Sequence, residues 1–187
     1  AICVFINPSF LLDVLSIFLS VFFFAAAVLS FIYSIKGLIK KTALSEFANI
    51  RKVGKIAISI VDGDELISVQ VSSGEDEILA ASYEGKCIRF SETDVRAMGR
   101  NARGVRAINM KDGDSVINVE QDIDGKDIFF VTSKGICLRA NKTVPVQGRV
   151  AGGVKGIDLM DNDYVVTATQ TDDDTSTEVI IATSFGT

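Results

Sequence analysis

An all-β fold, an array of about three four-stranded propeller-like blades preceded by an apolar helical segment, is predicted by three features of the sequence. The first is an internal repeat with a period near 50 residues. The second is the recurrence in each copy of about four short apolar runs bounded by Gly, Asp and Asn. The third is a charge distribution that follows the same period.

The repeat is clearest where "GRNARGVRAINMKDGDSVINV", from Gly99, returns as "GRVAGGVKGIDLMDNDYVVTA", from Gly148, 49 residues later. A looser copy, "NIRKVGKIAISIVDGDELISV", places Gly54 in the position of Gly104 and Gly153, at spacings of 50 and 49. A second anchor, in "SIKGLIKKT", "SYEGKCIRF", "TSKGICLRA" and "TSFGT", places Gly37, Gly85, Gly135 and Gly186 at spacings of 48, 50 and 51. These spacings bound repeats at about 37–85, 86–135 and 136–187.

Within a repeat, runs such as "SVINV", "DIFFVTS", "KGICLRA" and "YVVTATQ" have the length and β-branched content of strands, and turn residues separate them. No helical-period segment lies between them to serve as a parallel crossover, which disfavours an α/β fold. Four short strands at this period are the signature of blades that each cover a neighbour's apolar face.

The net charge is −5, from 19 Lys and Arg against 24 Asp and Glu, and taken as an average it argues against a polyanion ligand. The average hides a pattern. Residues 36–55 carry +5, residues 86–106 carry +4 and residues 134–155 carry +5, together holding 17 of the 19 basic residues. The intervening windows 57–85, 107–133 and 156–187 carry −7, −4 and −7. Equivalent positions of successive blades occupy equivalent places around an array, so one basic window per repeat predicts a discontinuous positive band. Such a band suits a long curved polyanion, with each blade neutralising a few phosphates. The glycines in "GRNARGVR" and "GRVAGGVK" allow close backbone approach and free amide N–H groups for an anion. With no base-reading helix in these loops, phosphate contacts that position without specifying sequence are expected.

The segments "KGLIKKTALSEFANIRKVGKIAI", "GKCIRFSETDVRAMGRNARGVRAI" and "VPVQGRVAGGVKGI" resemble the C-terminal β-pinwheel of the DNA gyrase A subunit, or that of its topoisomerase IV counterpart. The resemblance covers about residues 31–187 and is most specific in "DVRAMGRNARGVRAI". It implies a propeller-like disc of about six blades, of which about three are present here, with a basic rim that binds and bends duplex DNA. On that resemblance Arg51, Lys52 and Lys55, then Arg100, Arg103 and Arg106, then Arg149 and Lys155 fall in the rim loops. Lys40, Lys41, Arg89, Arg139 and Lys142 lie on adjacent strand ends. The resemblance also implies ATP and Mg used by the whole enzyme and not by this chain. The partners it implies are duplex DNA, the rest of the A subunit, and the ATPase B subunit. A cytoplasmic, nucleoid-associated location follows from the same reading. The glutamine, arginine and glycine-rich heptapeptide of the gyrase box is not found in the chain, which leaves gyrase and topoisomerase IV both open. The breakage-reunion domain with its catalytic tyrosine is also missing, and Tyr33, Tyr83 and Tyr164 match no such site.

Residues 1–30 are of another kind. From 14 to 35 there are 22 consecutive uncharged residues, long enough for a helix to span a bilayer. If inserted, Lys36, Lys40 and Lys41 would hold the C-terminal side in the cytoplasm. Either a membrane anchor is joined to a partial β-pinwheel, or residues 1–30 come from a misjoined sequence. The second is favoured, because the join falls inside a blade. Two other functional classes stay in view: a propeller used as a protein-interaction scaffold, and a membrane-anchored β protein.

Residue types for other chemistry are few. The chain has no His, which removes the commonest general base and metal ligand. Cys87 and Cys137 each stand two residues after a repeat glycine and are expected as equivalent core positions. With Cys3 they cannot complete a four-ligand zinc site. "DIDGKD" and "DDD" lack the closing Glu of a calcium loop and are expected as hairpin turns. No phosphate-binding Gly-Lys-Ser/Thr loop occurs.

Overall fold

The computed structural model describes residues 29–48, 54–141, 144–172 and 178–181. The chain divides into a unit of Ala27–Asp173 and a unit of Ala1–Ala26 with Asp174–Thr187. In the second of these, residues 178–181 are described and carry no regular structure. All the strands named below belong to the first.

One kind of hairpin straddles the start of each repeat, with its second strand inside the repeat. The pairs are β1 (Leu29–Ser34) with β2 (Leu38–Ala43), β4 (Glu77–Ser82) with β5 (Lys86–Ser91), and β8 (Asp127–Thr132) with β9 (Cys137–Ala140). The first two loops have three residues and end in Gly37 and Gly85, and the third has four and carries Gly135 in the same place. The three glycines stand at φ of 73°, 77° and 80°, the left-handed position these turns require. Each glycine N–H donates to the carbonyl of Ser34, Ser82 or Thr132 at 3.0 Å. The hydroxyl of that same Ser or Thr accepts the N–H of Leu38, Lys86 or Ile136 at 3.3 Å. This accounts for the recurring Ser/Thr-x-x-Gly spacing.

A third strand returns antiparallel beside the first: β3 (Leu66–Ser72) on β1, β7 (Val116–Gln121) on β4, and β11 (Val165–Thr171) on β8. The acidic turns that precede these strands clasp the hairpins. Asp64 Oδ1 accepts the N–H groups of Lys36 and Glu65, both at 3.0 Å. Asp114 Oδ1 does the same for Glu84 and Ser115 at 3.0 and 2.9 Å. Asp163 Oδ1 accepts from Lys134 and Tyr164 at 3.2 and 2.9 Å, and from the Ser133 hydroxyl at 2.7 Å. Burial acts to raise the Asp163 pKa, but these donors outweigh it and leave the carboxyl below its ordinary value.

The fourth strand of a blade comes from the next repeat. Val105–Arg106 (β6) pairs with β2, and Val154–Lys155 (β10) pairs with β5. The sheets are therefore β3-β1-β2-β6, β10-β5-β4-β7 and β11-β8-β9. Repeat and blade are out of phase: a blade starts at the first hairpin strand and closes with a loop segment about 76 residues later.

Glycine permits that closure. A Cβ on Gly104 would lie 2.7 Å from the Ile39 carbonyl oxygen, and one on Gly153 would lie 2.6 Å from that of Cys87. The two positions also hold φ of 95° and 71°, which side-chain-bearing residues rarely adopt.

The apolar runs follow from how many faces each sheet buries. Phe31, Tyr33, Ile39, Ile78, Ala80, Ile88, Phe90, Val116 and Val119 form one core between the first two sheets. Leu79, Ala81, Cys87, Ile128, Phe130, Val165 and Ala168 form a second between the last two. The central sheet is buried on both faces, so β4 reads as the unbroken apolar run "ILAA" instead of alternating. In the first core the Tyr33 hydroxyl is buried without a hydrogen-bond partner, and burial, then the charge of Glu92, raise its pKa well above the usual phenol value.

Cys87 and Cys137, expected as equivalent core positions, differ. Cys87 is buried against β10 and Gly156, and burial pushes its thiol up to about 12. Cys137 is exposed, because among the described residues no strand pairs with the outer edge of β9. Cys3 lies outside the described residues.

Gly153→Ala should lower unfolding stability by more than Gly135→Ala in chemical denaturation. Both place a side chain at positive φ, a strain of order 1–3 kcal/mol. Only Gly153 also meets a carbonyl, since nothing stands within 4 Å of a Cβ on Gly135. Equal losses would mean that the approach to Cys87 does not limit this position.

Candidate nucleic-acid interface

The three basic loops are joined edge to edge. The first loop meets the second where Ser59 N–H donates to Ala102 O at 3.4 Å and Ser59 Oγ donates to Asn101 O at 2.9 Å. The Arg100 guanidinium Nη1 donates to Ile56 O at 3.2 Å across the same seam. The second loop meets the third where Val150 N–H donates to Ala107 O and Asn109 N–H donates to Ala151 O, both at 3.0 Å. There Arg149 Nη1 donates to Arg106 O. Arg100 and Arg149, like Ile56 and Arg106, stand one period apart, so the two seams are built alike.

Exposed cations lie along these loops. Arg103, Arg106 and Lys155 are exposed, and among the described residues the Arg103 and Arg106 side chains have no ion-pair or hydrogen-bond partner. Lys155 pairs with Asp158, an exposed i,i+3 contact of little strength. Arg96 is equally exposed and was not among the residues expected from the sequence. The signal for it was present. Val95, just after the 3-10 turn of Glu92–Asp94, is 2% exposed, and the extended chain that follows turns the next side chain outward. Lys55 is half-buried and donates to Ala48 O. Arg51, Lys52 and Lys142 lie outside the described residues.

The cations expected on strand ends are placed differently. Lys40 is fully buried, and its Nζ donates to the carbonyls of Ala57 and Arg100, beneath the first seam. Burial, then the nearby Arg100 charge, lower its pKa. Lys41 is 7% exposed and faces the fully buried Glu92 at 3.7 Å. Its Nζ also donates to Gly74 O at 3.3 Å and lies 5.5 Å from the centre of the Phe31 ring. Neither ammonium reaches the surface: β2 is an interior strand of its sheet, and each Nζ is held by carbonyl or carboxylate partners inside the protein. Arg89 is held by Glu77, by Asp122 at 2.9 Å and by Asp124 at 3.6 Å. One period later Arg139 is held by Asp127 at 2.8 Å. These diagonal pairs across each hairpin leave the two guanidinium charges compensated.

The same pairs give "DIDGKD" its structural role, with Gly125 at φ 78° making the turn. Among the described residues no group of three or more His, Cys, Asp or Glu is placed to hold a metal ion. Among them also, no helix is long and apolar enough to cross a membrane.

Lys41→Met should cost about 3–5 kcal/mol in urea unfolding, because it leaves the Glu92 carboxylate buried without its counter-charge. Adding Glu92→Leu should recover most of that loss. A single variant as stable as the parent would show that the pair carries no electrostatic weight.

Comparison with known proteins agrees with the repeat structure. The family described as "DNA gyrase C-terminal domain, beta-propeller" matches residues 36–73, 76–121 and 126–172, once per repeat. The DNA gyrase A subunit of Escherichia coli (strain K12) is 53% identical over 85 residues, 46% of this chain and 10% of that protein. That of Clostridium acetobutylicum is 52% identical over 71 residues, 38% of this chain and 9% of its own length. The chain thus matches about a tenth of the length of these relatives. Among solved structures, the C-terminal domain of a DNA topoisomerase IV superposes with a TM-score of 0.75 at 22% identity, over 80% of this chain and 48% of that one. The Escherichia coli ParC C-terminal domain gives 0.54 at 12% identity, over 78% and 80% of the two chains. Three successive family matches, each taking in a second hairpin strand and the return strand that follows, place this chain in the DNA gyrase C-terminal domain, beta-propeller family.

Proposed function

We propose that this chain binds and bends duplex DNA as the C-terminal module of the A subunit of a bacterial type II topoisomerase. In the whole enzyme it would support ATP-dependent supercoiling or strand passage, in the cytoplasm at the nucleoid. Its protein partners there would be the remainder of the A subunit, together with the ATPase subunit. The observation that carries the reading is the seam-joined run of basic loops, which sets Arg96, Arg103 and Arg106 of one repeat beside the loop of the next, where Lys155 stands in the place of Arg106. The family membership and the identity to gyrase A subunits support it.

The chemistry is electrostatic. Each Lys or Arg that neutralises a phosphate releases condensed counterions, which favours association and makes it fall with salt. No helix is available among the described residues to enter a groove, so the contacts position the duplex without reading bases. Because the cations recur blade by blade, a duplex that touches all of them has to curve. Bending 20–30 base pairs through 40–90° costs about 1–6 kcal/mol, which a few phosphate contacts per loop offset at low salt.

Replacing Arg103, Arg106 and Lys155 with Ala should weaken binding to unrelated duplexes alike. Each lost contact should also make the log affinity against log salt slope shallower by about 0.9. Affinity independent of salt would overturn the reading, and sequence-selective loss would show base readout instead. Energy transfer between the ends of a labelled duplex of about 40 base pairs should report end-to-end shortening at low salt. That shortening should disappear at a salt concentration that still permits binding.

A further inference from the structure

We infer that Arg100 and Arg149 are positioning residues that set the spacing between consecutive basic loops, and that the phosphate contacts are made by Arg103, Arg106 and Lys155. The inference rests on the reading of these loops as a surface for duplex DNA. It assigns different work to arginines that the sequence presents as equivalent.

Four observations carry it. First, each of the two guanidinium groups is turned onto a backbone carbonyl of the preceding repeat: Arg100 Nη1 on Ile56 O at 3.2 Å, and Arg149 Nη1 on Arg106 O. Second, donors and acceptors both recur with the period, so this is a built element of the seam and not an accident of one loop. Third, both residues are half-buried while Arg103 and Arg106 are exposed, and Arg149 Nε is itself buried, so the base of that guanidinium lies against the protein. Fourth, the first seam has further side-chain ties, since Ser59 Oγ donates to Asn101 O and Lys40 Nζ joins Ala57 O and Arg100 O from below. One period on from Lys40, that position is Ile88, fully buried and without a side-chain donor, so among the described residues Arg149 is the side-chain tie at the second seam.

A bond across each seam matters because several contacts on one duplex cooperate only if their spacing matches the phosphates. Loosening a seam leaves every outward cation in place but lets the loops separate, so the duplex is held and no longer bent. The Arg149 seam, lacking the lysine, should be the more sensitive.

Citrulline separates the two roles, because it keeps N–H donors and the shape of arginine and removes the charge. In the full chain, Arg103→citrulline and Arg106→citrulline should each reduce the salt slope of binding to a duplex of about 40 base pairs by about 0.9. Arg100→citrulline and Arg149→citrulline should leave both the slope and the end-to-end shortening of the duplex unchanged. Arg149→Ala should keep most of the slope and lose the shortening, with Arg100→Ala showing a smaller loss. A slope reduced equally by citrulline at 100 or 149 and at 103 overturns the assignment, because those arginines would then be phosphate contacts. Slopes unchanged at all four positions overturn the DNA reading itself and this inference with it. Shortening retained by both alanine variants overturns the positioning role alone.

Discussion

Everything in the array depends on one close approach: the loop of each repeat lies against the second hairpin strand of the repeat before it. Gly104 faces the carbonyl of Ile39, and Gly153 that of Cys87, at distances no Cβ could occupy. The approach is what lets β6 and β10 add a fourth strand, satisfying edge N–H and C=O groups that would otherwise remain open. It also places the next hairpin over the previous one. Ala107 N–H donates to Gly37 O and Gly156 N–H to Gly85 O, both at 2.8 Å, while Ile108 and Ile157 pack over the same two glycines. A repeat is thus an incomplete blade, and its completion is the contact that links it to its neighbour.

Along the returning strands the repeats are joined by side-chain amides. Gln70 Nε2 donates to Val119 O at 2.6 Å, and Asn118 Nδ2 donates to Ala168 O. Gln121 Nε2 reaches Val71 O at 2.9 Å, and Gln170 Nε2 reaches Gln121 O at 2.6 Å. A backbone carbonyl on a strand flanked on one side has an unused acceptor position, and a long amide fills it from the neighbouring blade. Between the later hairpin and return turns, the Tyr83 and Tyr164 rings stack at 4.4 Å and 12°. Interblade cohesion is therefore polar at the returning strands and apolar in the two cores between them.

Charge is divided by position in the blade. On β2 and β5, which are covered by a loop from the next repeat, a basic side chain must find an internal partner. Lys41 finds Glu92, and Arg89 finds Glu77 with Asp122. Such pairs offset their desolvation only with added acceptors, which the Gly74 carbonyl supplies for Lys41. On the loops themselves no counter-charge is required, and Arg96, Arg103 and Arg106 remain facing solvent. The acidic excess is partly absorbed by turn geometry, where Asp64, Asp114 and Asp163 serve as acceptors for backbone N–H groups. A net charge of −5 and an exposed cationic band therefore coexist without conflict.

The period, the all-β class, the hairpins and the phase of the charge were determined by the sequence alone. Each rests on local chemistry that recurs at fixed spacing: a left-handed Gly after Ser/Thr-x-x, an Asp before each return strand, and a cluster of Arg and Gly between. Which strand completes which blade was decided only by the tertiary structure, because a two-residue strand such as Val105–Arg106 carries no periodic signal of its own. The same limit explains the site. In the sequence Lys40, Lys41, Arg89 and Arg139 look like any other basic residues beside a basic loop. Their burial or neutralisation follows from a covering strand of the next repeat and from carboxylates 12 to 51 residues away. Cys87 and Cys137 make the point most simply. They have the same place in the repeat, and one is buried while the other is exposed, because burial depends on the neighbour and not on the residue.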